Sequence, residues 1–82
     1  MAYDKEIYDK IVGLICDEFD MKPEELKEDT TFLEDLGIDS VDVVEMLVEV
    51  ENQFGLEEIS EEDMRTFRTI GDLAAYVTAH SA

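Results

Sequence analysis

Apolar residues in this chain keep a helical period along most of its length. Ile7, Ile11, Leu14 and Ile15 recur three and four residues apart, the spacing that gathers side chains on one face of a helix. Tyr8, Val12 and Phe19 widen the stripe, which predicts a first helix ending near Phe19. A second helix is expected from about Ser40 to Phe54, where Val43, Met46, Leu47, Val50 and Phe54 share one core-facing arc. ISEEDM predicts a short third helix capped by Ser60, with acids in the first turn where the helix dipole favours them. The last helix is expected to open at Thr69, with Asp72 in capping-box spacing and Ile70, Leu73, Ala74 and Val77 as its core stripe. The expected fold class is all-α: three longer helices and a short one, in a single domain over residues 1–82.

Between the first two helices runs a long irregular connection from Asp20 to Asp39, carrying Pro23, Thr30, Thr31 and Gly37. PEEL reads as a single turn, and Phe32, Leu33 and Leu36 are expected anchors onto the core. A connection this long in so small a domain is either functional or pinned down. Gly37 is expected to supply a turn geometry costly for other residues, just before the second helix begins.

Size and charge narrow the function. A chain of 82 residues buries only about 60–65% of its unfolded surface, leaving a thin stability margin and little depth for a private active site. Its 45% hydrophobic content suffices for a packed core, although 23 acids against 6 bases leave a net charge of -17. Such a surface repels nucleic acid and anionic membranes and favours protein partners with Lys and Arg patches. No base occurs between Lys27 and Arg65, a window that holds fourteen acids. Cys16 is the single cysteine and reads as a small residue of the first helix; it fits a reducing compartment. The N-terminus MAYDKEIYDK lacks the order of a signal peptide, and no apolar run reaches membrane-spanning length. A cytoplasmic, free-standing monomer without stable membrane insertion is expected.

The second helix carries more than its core stripe. Val41, Val44 and Val48 fall on a separate arc, with Asp42, Glu45 and Glu49 along its far flank and Glu51 on its near side. The valines either cover a fringe of the core beneath the long loop or form a partner-docking strip, an apolar centre rimmed by charge.

Ser40, at the start of that helix, has nothing nearby to activate it. A nucleophilic serine needs a base oriented by a third group, and the only histidine, His80, lies two residues from the C-terminus, where fraying is the default. Catalysis by the chain itself is not expected. The acids do not form an EF-hand loop, since none has glycine at the sixth place, and no intrinsic metal site is expected. Two readings of Ser40 stay open on these grounds: a helix cap, shared with Asp39, or a functional hydroxyl.

DLGIDSVDVVEML, from Asp35 to Leu47, resembles the modification-site motif of acyl carrier proteins, most often D-L-G-x-D-S-L followed by an acidic helix. The resemblance extends through the amphipathic first helix, the PEEL turn, TTFLEDLG, the NQFG helix end and RTIGDLAAYV. It departs at Val41, where leucine is usual, and in FGLEEISEED, which lacks a proline often found before the third helix. The resemblance implies a small four-helix bundle carrying 4′-phosphopantetheine covalently on Ser40, and acyl intermediates as thioesters on that arm, in fatty-acid or polyketide biosynthesis. It implies that a phosphopantetheinyl transferase supplies the arm from coenzyme A, with Asp39 able to contact Mg²⁺ during transfer. The implied partners are ketosynthases, acyltransferases, reductases and dehydratases. The implied acyl pocket draws on Val43, Met46, Leu47, Phe67 and Ile70. GIDS differs from the G-G-x-S of peptidyl carriers. The alternative is an unmodified acidic helical interaction module using the valine strip.

Overall fold

The structure, a computed structural model, describes residues 3–80. Helix α1 spans Lys5–Phe19, α2 Ser40–Phe54, α3 Glu61–Met64 and α4 Ile70–His80, with a single 3-10 turn at Pro23–Glu25. The expected architecture of three longer helices and a short one is the one observed.

Each helix starts where a side chain can accept a free amide. Asp4 accepts from the Glu6 N–H at 2.8 Å and Ser60 from the Asp63 N–H at 3.1 Å. Thr69 and Asp72 form the reciprocal pair anticipated from their spacing: Asp72 N–H donates to Thr69 Oγ1 at 3.0 Å, and Thr69 N–H to Asp72 Oδ2 at 3.2 Å. Helix α2 ends at Gly55, whose φ of 65° places it in the left-handed region glycine enters without strain.

Helix α1 packs against α4 and α2, burying Ile11, Val12 and Ile15 among Met46, Leu47 and Val50 of α2 and Leu73, Ala74 and Val77 of α4. Of the expected α2 stripe, Val43 and Phe54 are only half-buried, at the edge of this core. Leu26, Ile38 and Ile59 complete the core from irregular segments.

The long connection is pinned. Phe32 N–H donates to Arg68 O and Ile70 N–H to Thr30 O, both at 3.1 Å, making an isolated antiparallel bridge between Thr31 and Thr69. A second tie runs from Gly71 N–H to Glu28 O at 2.8 Å. Thr31 and Asp35 exchange backbone and side-chain hydrogen bonds at 2.9 and 3.0 Å, closing a turn. Gly37, with φ of 65°, provides the turn expected of it.

Two expectations need correction. Phe32 is buried at 1% exposure, but Leu33, also read as a core anchor, is 63% exposed. The bridge commits Phe32 to the core side, and the Thr31–Asp35 turn carries its neighbour outward. His80, expected at a frayed end, is instead the last residue of α4, its ring stacked on Tyr76 with centroids 4.1 Å apart.

Candidate functional site

Asp39 and Ser40 divide the work at the start of α2. Asp39 takes the cap: its Oδ1 accepts from the Asp42 N–H at 2.9 Å, and its carbonyl accepts from the Val43 N–H at 3.0 Å. Ser40 is therefore the first helical residue, exposed, and its hydroxyl forms no hydrogen bond among the described residues. The question of cap or free hydroxyl resolves residue by residue, with the carboxylate capping and the hydroxyl left open. The amides of Ser40 and Val41 have no intrahelical acceptor, so this corner carries the partial positive charge of a helix start.

Ser40 stands on a cleft of roughly 1270 Å³ between α2 and the α3 segment. Val43, Val44 and Val48 line it from α2, and Ile59, Met64 and Phe67 from the far side. Of the acyl-pocket residues implied by the resemblance, Val43 and Phe67 reach this cleft, whereas Met46, Leu47 and Ile70 are buried in the core between the helices and do not line it. Phe32, Leu33, Ile59 and Met64, together with Arg65 and Arg68, line the cleft without any signal in the sequence pattern. They come from irregular or very short segments, where no apolar period signals a shared face.

The valines of the second arc are not a covered fringe of the core. Val41, Val44 and Val48 are 65%, 44% and 46% exposed, and with Leu33 they are the large hydrophobic residues left exposed among the described residues. Glu45 and Glu49 are exposed beside them, while Asp42 and Glu51 are half-buried. Val44, Val48 and Glu51 also border the cleft, whereas Val41, Asp42, Glu45 and Glu49 stand outside its lining.

Of the groups with perturbed protonation, Cys16 lies away from this region, whereas Tyr76 meets the cleft residue Phe67 edge-on, with ring centroids 5.1 Å apart. Burial, then the charge of neighbouring Asp17, pushes the Cys16 thiol up. Burial, then its hydrogen bond to Asp63, raises Tyr76. No group of three or more His, Cys, Asp or Glu side chains among the described residues is gathered to hold a metal ion.

The chain is thus small and all-α, with an unengaged serine hydroxyl presented at a helix start, on a cleft and beside an acid-rimmed valine strip. Comparison with known proteins identifies the family: residues 9–77 match the model described as phosphopantetheine attachment site, and the chain belongs to that family. It is 36% identical over 77 residues to the acyl carrier protein of Lactobacillus acidophilus, covering 94% of this chain and 95% of the relative. It is 39% identical over 72 residues to the acyl carrier protein of Chlamydia trachomatis serovar L2, covering 88% and 92%. A solved structure of the acyl carrier protein from Enterococcus faecalis, described for its high thermal stability, matches with a TM-score of 0.78 at 31% identity, covering 94% of this chain and 96% of that one. The chain is thus an acyl carrier whose cofactor is 4′-phosphopantetheine.

Proposed function

We infer that Ser40 is the residue that accepts the phosphopantetheine arm. The observation that carries this reading is the division of labour at the helix start: Asp39 supplies the cap, leaving the Ser40 hydroxyl exposed and unengaged. Ser60, by contrast, spends its hydroxyl oxygen on the Asp63 amide. A phosphodiester on Ser40 would meet the free amides and the positive end of the α2 dipole. The residues present therefore fit the group. When bound, the arm supplies a terminal thiol that holds an acyl group as a thioester.

The chain's own residues do the remaining work. Among the described residues Asp39 Oδ2 accepts no hydrogen bond and would be available to a Mg²⁺ ion during arm transfer by the phosphopantetheinyl transferase. Val43 and Phe67, with Phe32, Ile59 and Met64, offer an apolar lining that shields cargo from water. Val41, Val44 and Val48, rimmed by Asp42, Glu45, Glu49 and Glu51, dock partner enzymes whose basic patches complement the acids. Ketosynthases, acyltransferases, reductases and dehydratases are the partner classes proposed for a monomer acting in the cytoplasm, a compartment that suits the free thiol of Cys16.

Mass spectrometry after incubation with coenzyme A and a broad-specificity transferase tests the assignment. The native protein gains one phosphopantetheine, located on Ser40 by peptide mapping, and Ser40→Ala gains none. A gain by the Ala variant, or attachment at Ser60 or at Ser81, which lies outside the described residues, overturns it.

A further inference from the structure

Arg65 and Arg68 end the base-free window that begins after Lys27, and both line the cleft on which Ser40 stands. Among the described residues the single ion pair is Lys5–Asp9, on α1, so neither guanidinium has a carboxylate within bridging distance. This is unexpected in a chain with 23 acids, four of which, Glu34, Glu51, Glu58 and Glu61, line the same cleft. The two arginines are also held in place without using their side chains. Arg65 N–H donates to Glu61 O at 3.2 Å, and Arg68 N–H to Asp72 Oδ2 at 3.2 Å, while Arg68 O accepts from Phe32. Both guanidiniums therefore stay exposed, with all their donors free, beside Phe67 and Met64.

We propose that Arg65 and Arg68 form a carboxylate-reading edge of the cleft, favouring acyl cargo that bears a free carboxylate over neutral cargo of equal length. The inference rests on Ser40 as the attachment point and deepens it by naming a cargo class. A guanidinium presents its N–H groups as a fork that matches the two oxygens of a carboxylate. The other charged side chains of the cleft are glutamates, which repel an anion; apart from the positive end of α2 at Ser40, where the arm's own phosphodiester would sit, this edge alone offers an anion a partner. A neutral chain has nothing to pair with there and interacts only with the apolar lining.

The test loads the arm-bearing protein with a glutaryl group labelled with ¹³C at its free carboxyl, and in parallel with a pentanoyl group. It compares the native chain with an Arg65→Gln/Arg68→Gln variant. Because both side chains are exposed and the local hydrogen bonds use backbone atoms, the variant keeps the dispersed amide spectrum of the native fold. The carboxyl titrates at lower pH in the native protein, with proton affinity reduced about threefold or more relative to the variant. The arginine Nε–H resonances shift with glutaryl and not with pentanoyl cargo. Identical carboxyl titrations in the two proteins overturn the proposal, as does an equal arginine shift with both cargoes. An arginine-dependent ³¹P shift in the arm-bearing protein before acylation also overturns it, because the anion read would then be the arm's own phosphodiester. Failure of Ser40 to gain the arm's mass overturns the attachment reading and this inference with it; a normal mass gain with no carboxyl effect overturns the inference alone.

Discussion

Gly71 N–H donates to the Glu28 carbonyl at 2.8 Å, and a β-carbon on Gly71 would stand only 2.9 Å from that same oxygen. The first turn of α4 and the long connection thus approach each other at a distance only glycine allows. Gly71→Ala would gain about 1 kcal/mol in helix propensity. Against this it loses a hydrogen bond worth about 1 kcal/mol and incurs an overlap costing about 1–3 kcal/mol, with a backbone atom that cannot swing aside. Net destabilisation of about 1–3 kcal/mol follows, read as a lowered urea midpoint. An unchanged or raised midpoint would show that the connection is not held there.

The assignment of the α2 cap to Asp39 separates two adjacent substitutions. Asp39→Ala removes the acceptor of the Asp42 amide and lowers stability by about 0.5–2 kcal/mol. Ser40→Ala, at an exposed position with no hydrogen bond to lose, changes stability by no more than about 0.5 kcal/mol. Chemical denaturation of the pair checks the order, and a larger loss for Ser40→Ala would return the capping role to the serine.

Partner docking divides between rim and centre. Reversing Glu45 and Glu49 to Lys slows association with a basic acyl-processing enzyme and flattens its salt dependence, because exposed rim charges act mainly on encounter. Val44→Asp, in the apolar centre, weakens affinity about tenfold or more at any salt. Stopped-flow association at low and high ionic strength distinguishes them; rates indifferent to both changes would rule out this surface.

Tyr3 ties the start of the chain to the long connection by donating its hydroxyl proton to Glu28, and that bond, followed by burial, pushes its pKa up to about 12. Since the folded value lies above the ordinary 10.0, the bond contributes stability that is fully present below pH 10 and is lost as pH rises towards 12. Native protein therefore loses thermal stability more steeply across this range than Tyr3→Phe. Parallel curves would show that the bond does not couple to folding.

The helices and their boundaries were legible from residue types because their causes are local. Asp72 three residues after Thr69 and Ser60 before a run of acids each satisfy backbone groups within one turn, so spacing alone locates them. The acid-flanked valine arc was legible for the same reason, since α2 is regular enough for position to give direction. Ser40 could be singled out by its neighbours, but its two roles could not be separated. Asp39 and Ser40 are both good caps, and which of them reaches the Asp42 amide depends on where the helix begins.

Tertiary structure decided what the irregular segments do. Leu26, Phe32, Ile38 and Ile59 show no period, and Phe32 enters the core while Leu33 turns outward only because Phe32 N–H finds Arg68 O, thirty-six positions away. The same bridge brings Arg68 and Phe32 to a cleft whose opposite wall is α2. Sequence determined the helices and the position of the serine, since each rests on interactions within a few residues. The cleft, its two unpaired arginines and the exclusion of Met46, Leu47 and Ile70 from its lining belong to the fold, because they depend on which distant segments share a wall.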